Sequence, residues 1–236
     1  RILAESDNPQ CDVFWNNEIS RTIMLVNEGL VQPYQSPQAK NIPAEYKNAD
    51  GYWTGFAARA RIIIYNKEIC DPANLPSSIM DLTDEHWQGK ASLAYPLFGT
   101  TATHAAVLFS EFGDQWAVDF FRSVEANNMA ILDGNATVRD RVVSGDYHWG
   151  LTDTDDANAA IEDGKNVGII YPDQGGDEMG MLIIPNTIAM MKDCPNPENG
   201  KKLIDFVLRP ETEEILANSR SAQIPLRSGL QIPDKV

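Results

Sequence analysis

The chain has 236 residues, and 34 acidic against 19 basic side chains give it a formal charge of −15. That excess speaks against nucleic acid and anionic membrane as main partners, because both would be repelled. Hydrophobic residues make up 43%, enough for a sizeable core, and no apolar run approaches the ~18 residues that span a bilayer.

The sequence opens on Arg1-Ile2-Leu3-Ala4-Glu5, which reads as the tail of a helix with neither initiator Met nor signal peptide, so upstream sequence is expected. A short apolar strand over 11–15 follows, then an amphipathic helix over 19–27 that stops at Gly29. Residues 32–51 are rich in Pro, Asn, Gln and Lys and read as a surface excursion. Arg-Ile-Ile-Ile-Tyr at 61–65 is the clearest buried strand, and 78–82 a short helix. From there strands and helices alternate: strands over 91–95, 129–132, 149–152, 167–171 and 181–184, and helices over 105–112, 115–126, 137–143, 157–163, 199–208 and from Pro210 through Leu216. Such alternation predicts an α/β fold with a mainly parallel sheet covered on both faces. Three cysteines, Cys11, Cys70 and Cys194, are too few for a disulfide scaffold and are not spaced as a zinc site. An odd count leaves at least one free thiol in a monomer, and the redox compartment stays open.

Ligands of open α/β sheets bind at the carboxyl ends of strands, where helix N-termini present free N–H groups. Three strand–turn–helix junctions qualify. Gly99-Thr100-Thr101-Ala102-Thr103-His104 offers small residues and three hydroxyls where one would cap a helix, without the spacing of a P-loop. Asp133-Gly134-Asn135 supplies a permissive turn and an amide that serves as cap or ligand contact. Thr152-Asp153-Thr154-Asp155-Asp156 has more carboxylates than capping requires, suited to a cation, an ammonium group or sugar hydroxyls, but not the pattern of a calcium loop. Trp15, Asn16, Asn17 and Glu18 also follow a strand. Arg59 and Arg61 share one strand face, where a guanidinium pairs either an anion or a structural carboxylate. His104 is the histidine nearest these turns, and no Ser-His-Asp or Cys-His arrangement can be placed.

Taken in order, Asp12-Val13-Phe14-Trp15, Trp53-Thr54-Gly55, Arg59-Ala60-Arg61-Ile62-Ile63-Ile64-Tyr65-Asn66, the Gly99–His104 turn, Gly150-Leu151-Thr152-Asp153 and Ile184-Pro185-Asn186-Thr187 resemble the substrate-binding proteins of bacterial ABC importers, in the ferric-ion-binding-like, type II periplasmic group. The resemblance implies two α/β lobes joined by hinge strands that close on a ligand in a cleft, with 61–65 as one crossover and 180–189 as the return. The implied lobes are 1–61 with 182–215, and 62–181 with 216–236, the first lacking its opening strand–helix unit. It also implies a periplasmic or membrane-tethered, non-enzymatic monomer that delivers its ligand to permease subunits, with no cofactor or resident metal. Ferric binders of that group carry adjacent tyrosines, and an acidic residue at about the place of Asn17. No Tyr-Tyr pair occurs here, which removes the phenolate pair that hard Fe(III) favours.

Relatives of the same group take phosphorylated or phosphonate-bearing molecules. The expected ligand is therefore an organic anion, a sugar phosphate or phosphonate, with Trp15, Asn16, Glu18, Arg59, Gly99, Thr100, Thr101, Thr103, Asn135, Asp153 and Asp155 as ligand-binding residues. The helix-start turn at 99–104 takes the anionic end, Asp153 or Asp155 a hydroxyl or amine, and Arg59 serves as auxiliary cation. Two alternatives stand beside it. One is Fe(III) held by non-tyrosine oxygens, and the other a magnesium-dependent phosphohydrolase of the haloacid-dehalogenase type with Asp153 as nucleophile and Asp155 as acid.

Overall fold

The computed structural model describes residues 1–233. After a 3-10 turn at Ile2–Glu5 come β1 (Val13–Asn16), α1 (Ser20–Asn27), β2 (Val31–Gln32), two 3-10 turns, and the long β3 (Thr54–Asn66). Then follow β4 (Ala91–Ala94), α2 (Gly99–Phe112), α3 (Asp114–Ala126), β5 (Ala130–Leu132), α4 (Asn135–Val143), β6 (Trp149–Asp153), α5 (Thr154–Glu162) and β7 (Val167–Ile170). The chain closes with β8 (Ile183–Met191), α6 (Pro197–Val207) and α7 (Pro210–Asn218). Among the described residues no helix is long and apolar enough to cross a membrane.

The chain divides into two compact units: Arg1–Ala58 with everything from Ile184 onward, and the uninterrupted stretch Arg59–Ile183. It leaves the first unit inside β3 and re-enters it at the start of β8. The two units divide at 58/59 and 183/184, where the resemblance implied 61/62 and 181/182. Residues from 216 onward belong with the first unit and not the second, because Asn186 Nδ2 donates to Gln223 Oε1 at 2.5 Å, Ala58 and Ile224 form a backbone bridge, and Arg227 Nη1 pairs with buried Glu213 at 2.7 Å.

In the first unit β8 is the central strand. It pairs antiparallel with β1, Val13 opposite Met190 and Asn16 opposite Thr187, and with β2, Val31 opposite Met191. Alternation along β8 delivers Ile188 and Met190 to a core with Phe56, Ile204 and Leu208. Ile42, only 2% exposed, joins that core, so the polar 32–51 stretch is an anchored segment and not a pure surface excursion. The Glu18 carboxylate accepts N–H donors from Ser20 at 2.6 Å and Arg21 at 3.1 Å, which starts α1, and Gly29 at φ +68° ends it.

In the second unit the sheet runs β7-β3-β6-β4-β5. The β4–β5 and β4–β6 pairs are parallel, while β3 meets β6 and β7 antiparallel, so the fold is α/β with a mixed sheet where a mainly parallel one was expected. The cause is local: β3 enters from the other unit against the direction of the βα repeats. Helix α4 packs on β6, β4 and β5. Gly150 in β6 makes that approach possible, since a Cβ there would sit 2.4 Å from Val138 Cγ1 and 2.9 Å from Ser92 Oγ. Trp149, Ile63, Leu93, Leu108 and Phe120 form the core.

Candidate functional site

The three junctions read from the sequence meet at the carboxyl ends of β4, β5 and β6 in the second unit. Their turns are shorter than expected, because α2 begins at Gly99 itself, α4 at Asn135 and α5 at Thr154. The hydroxyl and amide side chains therefore sit in first helical turns. Arg61 is opposite Asp153 in the β3–β6 register, and its Nη1 donates to Asp153 Oδ1 at 2.7 Å. Thr100 Oγ1 donates to Asp153 Oδ2 at 2.5 Å, and Asn135 Nδ2 donates to the same oxygen and to Thr100 Oγ1, each at 2.8 Å. Asn135 Oδ1 in turn accepts from Arg61 Nη1 at 3.2 Å and Thr101 Oγ1 at 3.3 Å. All three junctions thus contribute to a single network around a buried ion pair.

Of the side chains in this network, Asp153 holds a helix-capping position, while Thr100, Thr101 and Asn135 lie inside the first turns. The residues preceding α2, α4 and α5 are Phe98, Gly134 and Asp153, and none makes a side-chain capping bond. Each helix start keeps the positive end of its dipole, and at α5 the Asp155 carboxyl accepts backbone N–H groups of the first turn. Asp153 contributes little opposing charge, being neutralised by Arg61. The guanidinium is fully buried, yet its Nε and Nη2 find no partner among the described residues. Gly99 at φ +58° leaves open space where a side chain would project. Geometry and charge together suit an anion.

Carboxylates collect next door. Oxygens of Asp153, Asp155 and Asp156 lie within 4.8 Å of one another. Burial, then repulsion from Asp155 and Asp153, pushes Asp156 up to about 7, although Arg139 lies 3.6 Å away. Burial also raises Asp155, opposed by Arg59, whose Nη2 is 3.6 Å from Asp155 Oδ2. With Asp153 committed to Arg61, Thr100 and Asn135, and Asp156 prone to hold a proton, this donor set suits an ammonium group or hydroxyls better than a hard cation. Both oxygens of Asp153 are engaged within the protein, Oδ1 by Arg61 and Oδ2 by Thr100 and Asn135. His104, buried in α2, is held down to about 3 by burial and by the charge of Arg61 and stays neutral.

Other expected residues fall elsewhere. Thr103 is buried in α2, one turn beyond the helix start. Trp15, Asn16 and Glu18 lie in the first unit. Asn16 Nδ2 donates to Glu18 Oε1 at 2.7 Å, so Asn16 and buried Glu18 serve the start of α1, while Trp15 is 53% exposed with its ring edge-on to Phe56. Arg61 rather than Arg59 is the cation of the network. The sequence reading passed over Tyr95, Leu97 and Phe98, which project exposed between β4 and α2. Their signal was available: three large apolar residues where a strand end meets a polar helix start.

Known proteins share this arrangement of elements. A family described as bacterial extracellular solute-binding protein matches residues 20–235. The chain is 28% identical to Iron uptake protein A1 of Synechocystis sp. over 248 residues, covering all of this chain and 67% of that protein. It is also 28% identical to a putative 2-aminoethylphosphonate-binding periplasmic protein of Salmonella typhimurium, covering all of this chain and 68% of that one. Iron-bound HitA from Pseudomonas aeruginosa superposes with a TM-score of 0.88 at 26% identity, over all of this chain and 76% of HitA.

Proposed function

Because the chain belongs to the bacterial extracellular solute-binding proteins, we propose that it captures a small organic anion of phosphonate or sugar-phosphate type and delivers it to the permease subunits of an ABC importer. The observation that carries this reading is the convergence of the side-chain-uncapped starts of α2 and α4 beside the half-used guanidinium of Arg61. Backbone N–H groups of α2 and α4 bind the phosphonate or phosphate oxygens, with Thr100, Thr101 and Asn135 holding those helix ends against Asp153 at the start of α5. Asp155 and Asp156 accept the ammonium or hydroxyl groups of the same molecule. A zwitterion such as 2-aminoethylphosphonate satisfies both demands. Arg59 positions Asp155.

The ferric alternative draws on the three clustered carboxylates and on the similarity to Iron uptake protein A1 and to iron-bound HitA. Against it stand the absence of adjacent tyrosines and the commitment of Asp153 to Arg61. The test is a thermal-shift panel followed by calorimetry with 2-aminoethylphosphonate, hexose phosphates, inorganic phosphate and Fe(III)-citrate. A saturable rise in Tm with a phosphonate or phosphate ester, weakened at least tenfold in Kd by Thr101→Val or Asn135→Ala, is the expected result. A rise with Fe(III)-citrate alone overturns the organic-anion reading.

A further inference from the structure

Two thiols of the first unit take no part in ligand capture. Cys11 directly precedes Asp12, and Asp12 grips the chain beyond β8 at two points. Its carbonyl accepts the Met191 N–H at 2.9 Å, and its Oδ1 accepts the Asn196 N–H at 2.6 Å. Cys194 lies between those two points in sequence. Cys194 belongs to the apolar cluster of Ile188 and Met190, and Cys11 packs against the same cluster. The approach is close on the far side too, since a Cβ on Gly200 would sit 3.3 Å from Asp12 Cβ. Both cysteines are thiols in this structure.

We propose that Cys11 and Cys194 form a disulfide in the oxidising space where extracellular solute-binding proteins work, fastening the segment before β1 to the turn between β8 and α6, while Cys70 remains a thiol. Cys70 lies in the second unit, buried, with its Sγ donating to His148 O at 3.1 Å. The oxidant is another disulfide, either of a protein oxidase or of oxidised glutathione. The Cys11 thiolate attacks one sulfur of that disulfide, whose S–S bond breaks and releases the first thiol. Cys194, deprotonated, then attacks the Cys11 sulfur of the mixed disulfide and expels the second thiol. Two electrons pass to the oxidant and two protons end on its thiols.

Cys11 is the entry point. It lines a cavity of about 390 Å3 together with Ile2, Pro9, Leu30 and Lys192, whereas Cys194 is 8% exposed. Burial and the nearby Glu5 and Asp12 carboxylates raise the Cys11 thiol, and burial followed by Asp12 raises Cys194. Closure is therefore slow near neutral pH and accelerates as pH rises.

The experiment is to incubate the purified chain with oxidised glutathione at pH 8.5, block free thiols, digest with trypsin and analyse by mass spectrometry with and without reductant. The expected product joins peptides 2–21 and 193–201 and leaves one alkylated cysteine, in peptide 68–90. The oxidised protein melts on the order of 5–10 °C above the reduced one, and Cys11→Ser abolishes that difference. Three alkylated cysteines, glutathione retained on Cys11, or a cross-link through Cys70 each overturn the proposal. Peptide mapping of the unaltered chain decides the matter even if the serine variant folds poorly.

Discussion

Asp153 and Arg61 face each other in adjacent strands with side chains 3% and 0% exposed, so neither charge has water to fall back on. Asp153→Asn strands the guanidinium and is expected to destabilise the second unit by about 3–5 kcal/mol in urea denaturation, whereas replacing both partners with Arg61→Met and Asp153→Leu costs much less. Asp156 gives the pH dependence. Its carboxyl sits at about 7 when folded against 3.8 as the ordinary value, so the native state holds a proton that the unfolded chain has lost. Its stabilisation is complete below pH 4 and disappears as pH rises through 7. Asp156→Asn keeps a neutral side chain throughout, so its Tm relative to the parent protein is expected to be higher at pH 8 than at pH 4.5. Both effects rest on partners that the sequence displayed only as residue types at strand ends. Thr100, Asn135 and Asp153 stood out because hydroxyl, amide and carboxylate groups were in excess there. That Asp153 faces Arg61 depends on the β3–β6 register, which no local pattern encodes.

Elements were legible where period and punctuation agreed. The helices over 115–126 and 199–208 were visible because apolar spacing and flanking polar residues coincided, and they appear as α3 and α6 with small changes at their ends. Strand β3 was read at five residues and has thirteen, because its first half, Thr54 to Arg59, mixes small and polar residues that are buried on both faces. Within it Ala57 takes φ +44° while its N–H donates to Glu213 Oε1 at 2.7 Å, a tertiary demand that local propensity does not register. The fit of α4 on β6 is likewise tertiary. Gly150→Ala drives a methyl group into Val138 and Ser92, and a loss of about 1–3 kcal/mol is expected in urea denaturation. The same displacement shifts Asn135 at the start of α4, so phosphonate affinity should fall along with stability.

At the scale of the whole molecule, a charge of −15 repels an anionic ligand at distances beyond the first turns of α2 and α4. Salt screens that long-range repulsion more than the short contacts with helix N–H groups. The association rate of a phosphonate should therefore increase from 20 to about 150 mM salt, as the Debye length shrinks to ~8 Å, and stopped-flow fluorescence can follow it. An unchanged or falling rate would place attractive charge around the approach path. The α/β class was readable from the alternation of strands and helices, whereas a division into two lobes was implied only by the family resemblance. The allocation of residues from 216 onward was not readable, since it depends on Asn186 finding Gln223 across a long stretch of sequence.

The nesting of Arg59–Ile183 inside the first unit sets an order of assembly during translation. A ribosome releases β1 and β2 early, but β8, the strand they both need, is made only after the entire second unit. Thr22 and Thr187, whose hydroxyls meet at 2.7 Å, are 165 residues apart. The second unit can thus reach its native form while the first still waits with two unpaired strands, and the vulnerable interval of this chain in the cell lies between those two events.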